Sequence, residues 1–239
     1  RRAPLIVCPQ GQVLTQQIQA ILIRVRSGIC RRGAELLHFP SITDAIAAYQ
    51  RALRTFDKIK YPAEFAILQN NLATAFLSIP FADERSKMRE ALAVQAFEEG
   101  LRVVNLIDHP SEYAMLQNNL GNALQYASSS HAVENNLRAL EAYDEALKVR
   151  SRETMPLEYA NTIANKANCL WNLPDDVENP ASGNPTNVRT ARALYGEARE
   201  LFNAAGELEK ARFMGEAIDQ IEREALSVLS DTSSTSPSA

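Results

Sequence analysis

The sequence predicts an all-α protein: a solenoid of about four helix-hairpin repeats closed by a C-terminal capping helix. Two observations carry that expectation. The fifteen residues Pro62–Phe76 return as Pro110–Leu124, keeping Pro, Glu, Ala, the run Leu-Gln-Asn-Asn-Leu and a later Ala in register. They are echoed from Pro156, where Glu158, Tyr159, Ala160, Asn165 and Ala167 hold the same places. The intervals are 48 and 46 residues. A near-constant period of that size marks an array whose units bury their apolar faces against their neighbours. A second block alternates with the first: Ala45, Ala48, Tyr49, Ala52 and Leu53 recur as Ala93, Ala96, Phe97, Gly100 and Leu101, then as Ala139, Ala142, Tyr143, Ala146 and Leu147. Its looser copy is Ala191, Leu194, Tyr195 and Ala198, so the aromatics stand 48, 46 and 52 apart.

Each block reads as a helix. Small residues at i, i+3 and i+7 beside one aromatic make a flat stripe that lets two helices approach closely. Pro62, Pro110 and Pro156 fall where a helix tolerates proline, in its first turn, and each ends the helix before it. Thr43 and Ser111 are candidate caps. In order, the pattern predicts helices over 14–37, 41–59, 62–79, 85–107, 110–127, 131–150, 156–172, 187–204 and 207–229, with no strand. Connectors at Phe81–Arg85, Ser128–His131 and Pro174–Pro185 recur at one point in each unit, so they should project from one edge. Residues 1–13 precede the repeats, 14–229 form the repeat domain, and 230–239, rich in Ser, Thr and Pro, cannot bury apolar surface and should be a disordered tail.

Composition narrows the function. With 46% apolar residues a core is affordable, and only nine glycines in 239 residues suits helices. A net charge of −4 gives no global pull toward nucleic acid or anionic lipid, and no apolar run approaches the roughly 18 residues of a membrane span. Cys8, Cys30 and Cys169 are odd in number and widely spaced, which favours a reducing compartment, most simply the cytoplasm. The chain begins at Arg1 rather than Met, which suggests a piece of a larger protein or a processed form.

The two blocks resemble the tetratricopeptide repeat family. Leu120-Gly121 and Leu72-Ala73 match the first-helix signature. Ala45/Tyr49/Ala52 and Ala139/Tyr143/Ala146 match the second, with Ala93/Phe97/Gly100 close behind. His109-Pro110, Ala114 and Asn118-Asn119-Leu120 look most like the long repeats of kinesin light chains. The resemblance covers roughly residues 20–205 and implies a right-handed solenoid that serves as a binding platform. The period exceeds the family's usual one of about 34 residues; we assign the excess to a longer second helix and to the insertions within each pair.

On residues 110–127, Tyr113, Leu116, Leu120, Ala123 and Leu124 share one stripe. Met115, Asn118, Asn119 and Asn122 share another, rotated by more than a quarter turn. Ile67, Asn70, Asn71 and Thr74 repeat the second stripe, followed by Asn161, Ala164, Asn165 and Asn168. In tetratricopeptide proteins the equivalent positions line a concave groove. The resemblance thus implies a ladder of Asn71, Asn119 and Asn165, with Asn70, Asn118, Asn122 and Asn168 beside it and Arg26 in the first unit's slot. An asparagine amide can bond both C=O and N–H of an extended peptide without reading its side chains. Specificity would come from pockets near Ile67, Met115, Tyr126 and Trp171. The alternative is structural: these asparagines cap, bend or solvate a helix face, and as poor helix formers they need some compensation. The Pro-x-Glu carboxylates Glu64, Glu112 and Glu158 read as helix-dipole partners. Paired groove lysines are missing, so a carboxylate clamp is not expected.

No phosphate-binding or dinucleotide glycine pattern occurs. His38, His109 and His131 are isolated from other ligands. Asp175, Asp176, Glu178 and Asn179 lack the glycine and spacing of a calcium loop. No histidine or acid is locally placed to activate a cysteine, and Arg24, Arg26, Arg31 and Arg32 lack the aromatics of a nucleic-acid site. We therefore expect no catalytic residues, no metal and no cofactor. The expected role is a non-enzymatic adaptor or scaffold that binds a protein or peptide partner, with neither nucleic acid nor membrane involved. Two other roles fit the same pattern: the regulatory or sensing domain of a larger protease or ATPase, and an assembly chaperone for a partner enzyme.

Overall fold

A computed structural model describes residues 42–79, 85–127 and 131–233, with side chains to Ala225. The helix expected over 14–37, and with it Arg26, Cys8, Cys30 and His38, lies outside the described residues. Within them the protein is all-helical. The helices are α1 (Ile42–Ala52), α2 (Pro62–Leu77), α3 (Ser86–Leu101), α4 (Pro110–Tyr126), α5 (Ala132–Leu147), α6 (Pro156–Trp171), α7 (Pro185–Ala204) and α8 (Leu208–Ser233), with one 3₁₀ turn at Pro180–Ser182. Pro62, Pro110, Pro156 and Pro185 open α2, α4, α6 and α7, at the one place where a missing N–H costs a helix nothing. Glu64, Glu112 and Glu158 stand in first turns, beside the positive end of the helix dipole.

Sequence periodicity carries the second helices to residues 59, 107 and 150. The structure ends them at Ala52, Leu101 and Leu147. For the first two the reason is local. Asp57 Oδ1 accepts the N–H groups of Ile59 and Lys60 at 3.0 and 2.9 Å. Asn105 Oδ1 accepts those of Ile107 and Asp108 at 2.9 and 2.8 Å. Short polar side chains outbid the helical ladder for these donors. The excess repeat length given to longer second helices therefore belongs to the connectors after them. At the other end, α8 runs to Ser233, past residue 230 where the tail was expected to begin.

The chain divides into two compact units, residues 1–129 and 130–239. In the first, α2 packs against α1, α3 and α4, and α3 against α4. Ala45, Tyr49 and Ala52 of α1 meet Leu68, Leu72 and Ala75 of α2 in one cluster. Gly100 of α3 comes so close to α4 that a Cβ there would stand 2.9 Å from Leu116 Cδ1. In the second unit α6 lies between α5 and α7, and α7 also packs on α8. The aromatics of the second block, Tyr49, Phe97, Tyr143 and Tyr195, are at most 4% exposed. Each stabilises the core by about 1.5–3 kcal/mol, which makes that stripe the packing stripe. On α8 only Ala211, Met214, Ile218 and Ile221 are buried among the described side chains. Its outer side carries Arg212, which bridges Glu209 and Glu216 at 2.9 and 2.6 Å.

Candidate binding face

The asparagine stripes of α2 and α4 meet. Asn118 Nδ2 donates to Asn119 Oδ1 at 3.0 Å, Asn119 Nδ2 to Asn70 Oδ1 at 2.7 Å, and Asn70 Nδ2 to Asn71 Oδ1 at 3.2 Å. The four amides form one directed chain, and its middle bond ties α4 to α2 across 49 residues of sequence. The sequence reading turned all four toward a partner. In the structure Asn71 is 0% exposed, Asn70 5% and Asn118 6%. A side chain with no exposed surface touches no partner, so Asn71 belongs to the packed interior. Its Nδ2 is the one end of the chain with no hydrogen-bond acceptor. Buried donors of that kind are uncommon because each costs about 1–3 kcal/mol.

Around this chain, Ile67, Thr74, Met115, Asn119 and Asn122 remain half-buried. Thr74 bends its hydroxyl back to the Asn70 carbonyl at 2.9 Å. The exposed part of the α2/α4 face is thus mixed: two apolar side chains, one hydroxyl and two amides. Arg26, expected in the preceding slot, lies outside the described residues.

The second unit treats its asparagines differently. Asn161 and Asn165 of α6 are half-buried and Asn168 is 7% exposed. Asn161 Nδ2 donates to the Leu157 carbonyl at 2.8 Å, within its own helix. Asn168 is held by Asn172, whose Nδ2 donates to the Asn168 carbonyl at 2.7 Å. Trp171 does not stand alone as a pocket wall. Its Nε1 donates to Glu224 Oε2 at 3.2 Å and its ring meets Tyr195 edge-on with centroids 6.4 Å apart. It therefore ties α6 to both α7 and α8.

Most groups with catalytic or ligating potential among the described residues are engaged in structure. The Cys169 thiol is buried and donates to the Asn136 carbonyl at 3.2 Å. Burial pushes it up to about 12, with Lys166 opposing, so it stays protonated at neutral pH and is a poor nucleophile. His109 and His131 stand at the N-cap positions of α4 and α5 without a side-chain cap bond; the His109 Nδ1 is buried without a hydrogen-bond partner, and His131 faces Glu134 at 3.8 Å. Asp175 accepts the N–H groups of Thr186 and Asn187 at 2.8 and 2.7 Å, capping α7. Asp176 accepts those of Glu178 and Asn179 at 2.9 and 3.2 Å. Among the described residues no three His, Cys, Asp or Glu side chains gather as a metal site.

Sequence reading passed over one buried group. Arg150 is 9% exposed, and its Nη1 donates to Thr162 Oγ1 at 2.8 Å. Setting the repeats in register at the prolines would have exposed it, because the same slots earlier hold Val104 with Leu116 and Phe56 with Leu68. No protein-family model, curated protein or solved structure matches this chain.

Proposed function

We propose that the protein is a non-enzymatic adaptor that holds a peptide or an extended partner segment along the face shared by α2 and α4. The tetratricopeptide-like right-handed solenoid and the about four hairpins that the sequence resembles are part of this reading. One observation carries it. Two helices from successive repeats present the same stripe in register, joined by the Asn119–Asn70 hydrogen bond, with exposed surface remaining at Ile67, Thr74, Met115, Asn119 and Asn122. In this reading the buried amides fix the spacing of the two helices, and the half-exposed side chains make the contact. Met115 supplies adaptable apolar area and Ile67 a stiffer, β-branched one, while Asn119 and Asn122 offer donors and acceptors to a peptide backbone.

Peptides selected from a displayed random library on the wild-type protein test it. Met115→Arg with Asn122→Arg should weaken the selected peptides more than tenfold, since a few central contacts carry most binding energy. Glu141→Arg, on the exposed side of α5, should not. Equal binding by all three proteins would place the partner on another surface.

A further inference from the structure

The net charge of −4 conceals a division along the chain. Residues 1–60 hold ten Lys and Arg against three Asp and Glu, a balance of +7, so the remaining residues carry −11. The described end of that basic stretch is the turn between α1 and α2. There Arg51, Arg54, Lys58 and Lys60 are all exposed. Arg51, Arg54 and Lys58 have no ion-pair partner among the described residues, and Lys60 stands over the Tyr61 ring at 5.3 Å. The single acid of the turn, Asp57, spends Oδ1 on the N–H groups of Ile59 and Lys60. That capture sets the tip of the turn, and at the tip sits Ile59, 89% exposed between two lysines.

An apolar side chain held outward on a fixed turn recurs at the next connector. Ile107, 87% exposed, occupies the equivalent place on the turn made by Asn105. Each packed hairpin reverses the chain, so α2 and α4, which these turns precede and which pack together, run the same way. Both tips therefore lie at one edge of the first unit. The third connector has exposed Glu153 at the corresponding place, which confines the pattern to that unit.

We propose that this edge docks on an anionic bilayer surface, with Ile59 entering the headgroup region and Arg51, Arg54, Lys58 and Lys60 meeting acidic lipid. The shape chooses lipid over protein. A protein partner would have to supply a fitted pocket for each protruding isoleucine, whereas a bilayer interface yields to a convex apolar tip and needs none. The flanking cations supply the second attraction that a short apolar insertion requires, each worth roughly fivefold in partitioning near an acidic surface.

The full chain sedimented with phosphatidylcholine vesicles, with and without phosphatidylserine, tests this. Wild type should partition at least tenfold more strongly onto the acidic vesicles at about 0.1 M salt and release as salt rises. Lys58→Glu with Lys60→Glu should erase the difference, and Ile59→Ser should lower binding several-fold. All three side chains are exposed, and unchanged helical circular dichroism would verify the fold. Absence of a preference for acidic vesicles, or full retention of it by the double variant, overturns the proposal. Binding of polyglutamate without vesicle binding also overturns it, by assigning the edge to an acidic polypeptide.

Discussion

Replacing Arg150 with Val and Thr162 with Leu should stabilise the second unit. The pair stands where the preceding repeat places Val104 and Leu116, which are 4% and 0% exposed. Loss of solvent is the main influence on Arg150 and holds its guanidinium down at about 10, with the Glu158 carboxylate opposing. A depressed base disfavours folding at every pH below its folded value, so the penalty is present in full at neutral pH and is relieved only above about 10. Relative to its ordinary value, that depression corresponds to roughly 3 kcal/mol. The Nε of Arg150 has no acceptor, which adds to the cost. Against this stand one hydrogen bond to Thr162, about 1 kcal/mol, and the volume lost from Arg to Val, partly restored by Leu. The double variant should gain about 1–4 kcal/mol, the range seen when apolar residues replace buried charge. Urea and thermal melts of a double-mutant cycle read the result. Thr162→Leu alone should destabilise, because it removes the guanidinium's partner, yet it should stabilise in the Arg150→Val background. Equal effects in both backgrounds, or a double variant less stable than wild type, would refute the idea that a polar pair fills an apolar slot.

Two further substitutions test other parts of the fold. Asn119→Ala breaks both bonds that the amide makes to Asn118 and Asn70 and should cost about 1–3 kcal/mol. Ser111→Ala, exposed in the first turn of α4, should cost under about 0.5 kcal/mol; similar melting of the two would deny the amide chain any structural weight. Tyr49→Phe should leave stability unchanged or raise it by about 1 kcal/mol, since the hydroxyl is buried without a partner, burial pushes its ionisation well above the usual range, and the next repeat already has Phe97. A clear loss on urea melting would mean that the hydroxyl is bonded in solution.

Repeats made the helices readable because the signal is written more than once. Proline fixes each first-helix start by chemistry that acts within one residue, so Pro62, Pro110 and Pro156 open helices as expected. The far ends were harder. Leu53–Ile59 and Arg102–Ile107 keep apolar residues at helical spacing, and only the competing acceptors Asp57 and Asn105 reveal that the chain has left the helix. Trp171 shows the same limit at the site. Its stripe is readable from spacing, but its hold on Glu224 links residues 53 positions apart, a distance that periodicity does not cover.

At the asparagines, spacing gives the direction of a stripe but not its depth. Helical spacing fixes the direction in which a side chain leaves its axis; how far the neighbouring helix covers it depends on the neighbour's bulk. Along α2 and α4 the residues beside the amides are small: Ala66, Ala73 and Ala75 on one, Ala114, Gly121 and Ala123 on the other, all buried. Small residues draw helix axes together, and at close approach the adjoining stripe sinks into the contact. An amide carried into that position must find partners or pay its desolvation. Asparagine can both donate and accept, so a neighbour's asparagine is a sufficient partner, and the chain from Asn118 to Asn71 follows. On α6 Lys166 stands where α2 and α4 have Leu72 and Leu120 and reaches Asp144 of α5, and Asn161 turns back to its own helix. Asparagine thus bridges α2 and α4 in one unit, while in the other Asn161 bonds a carbonyl of its own helix.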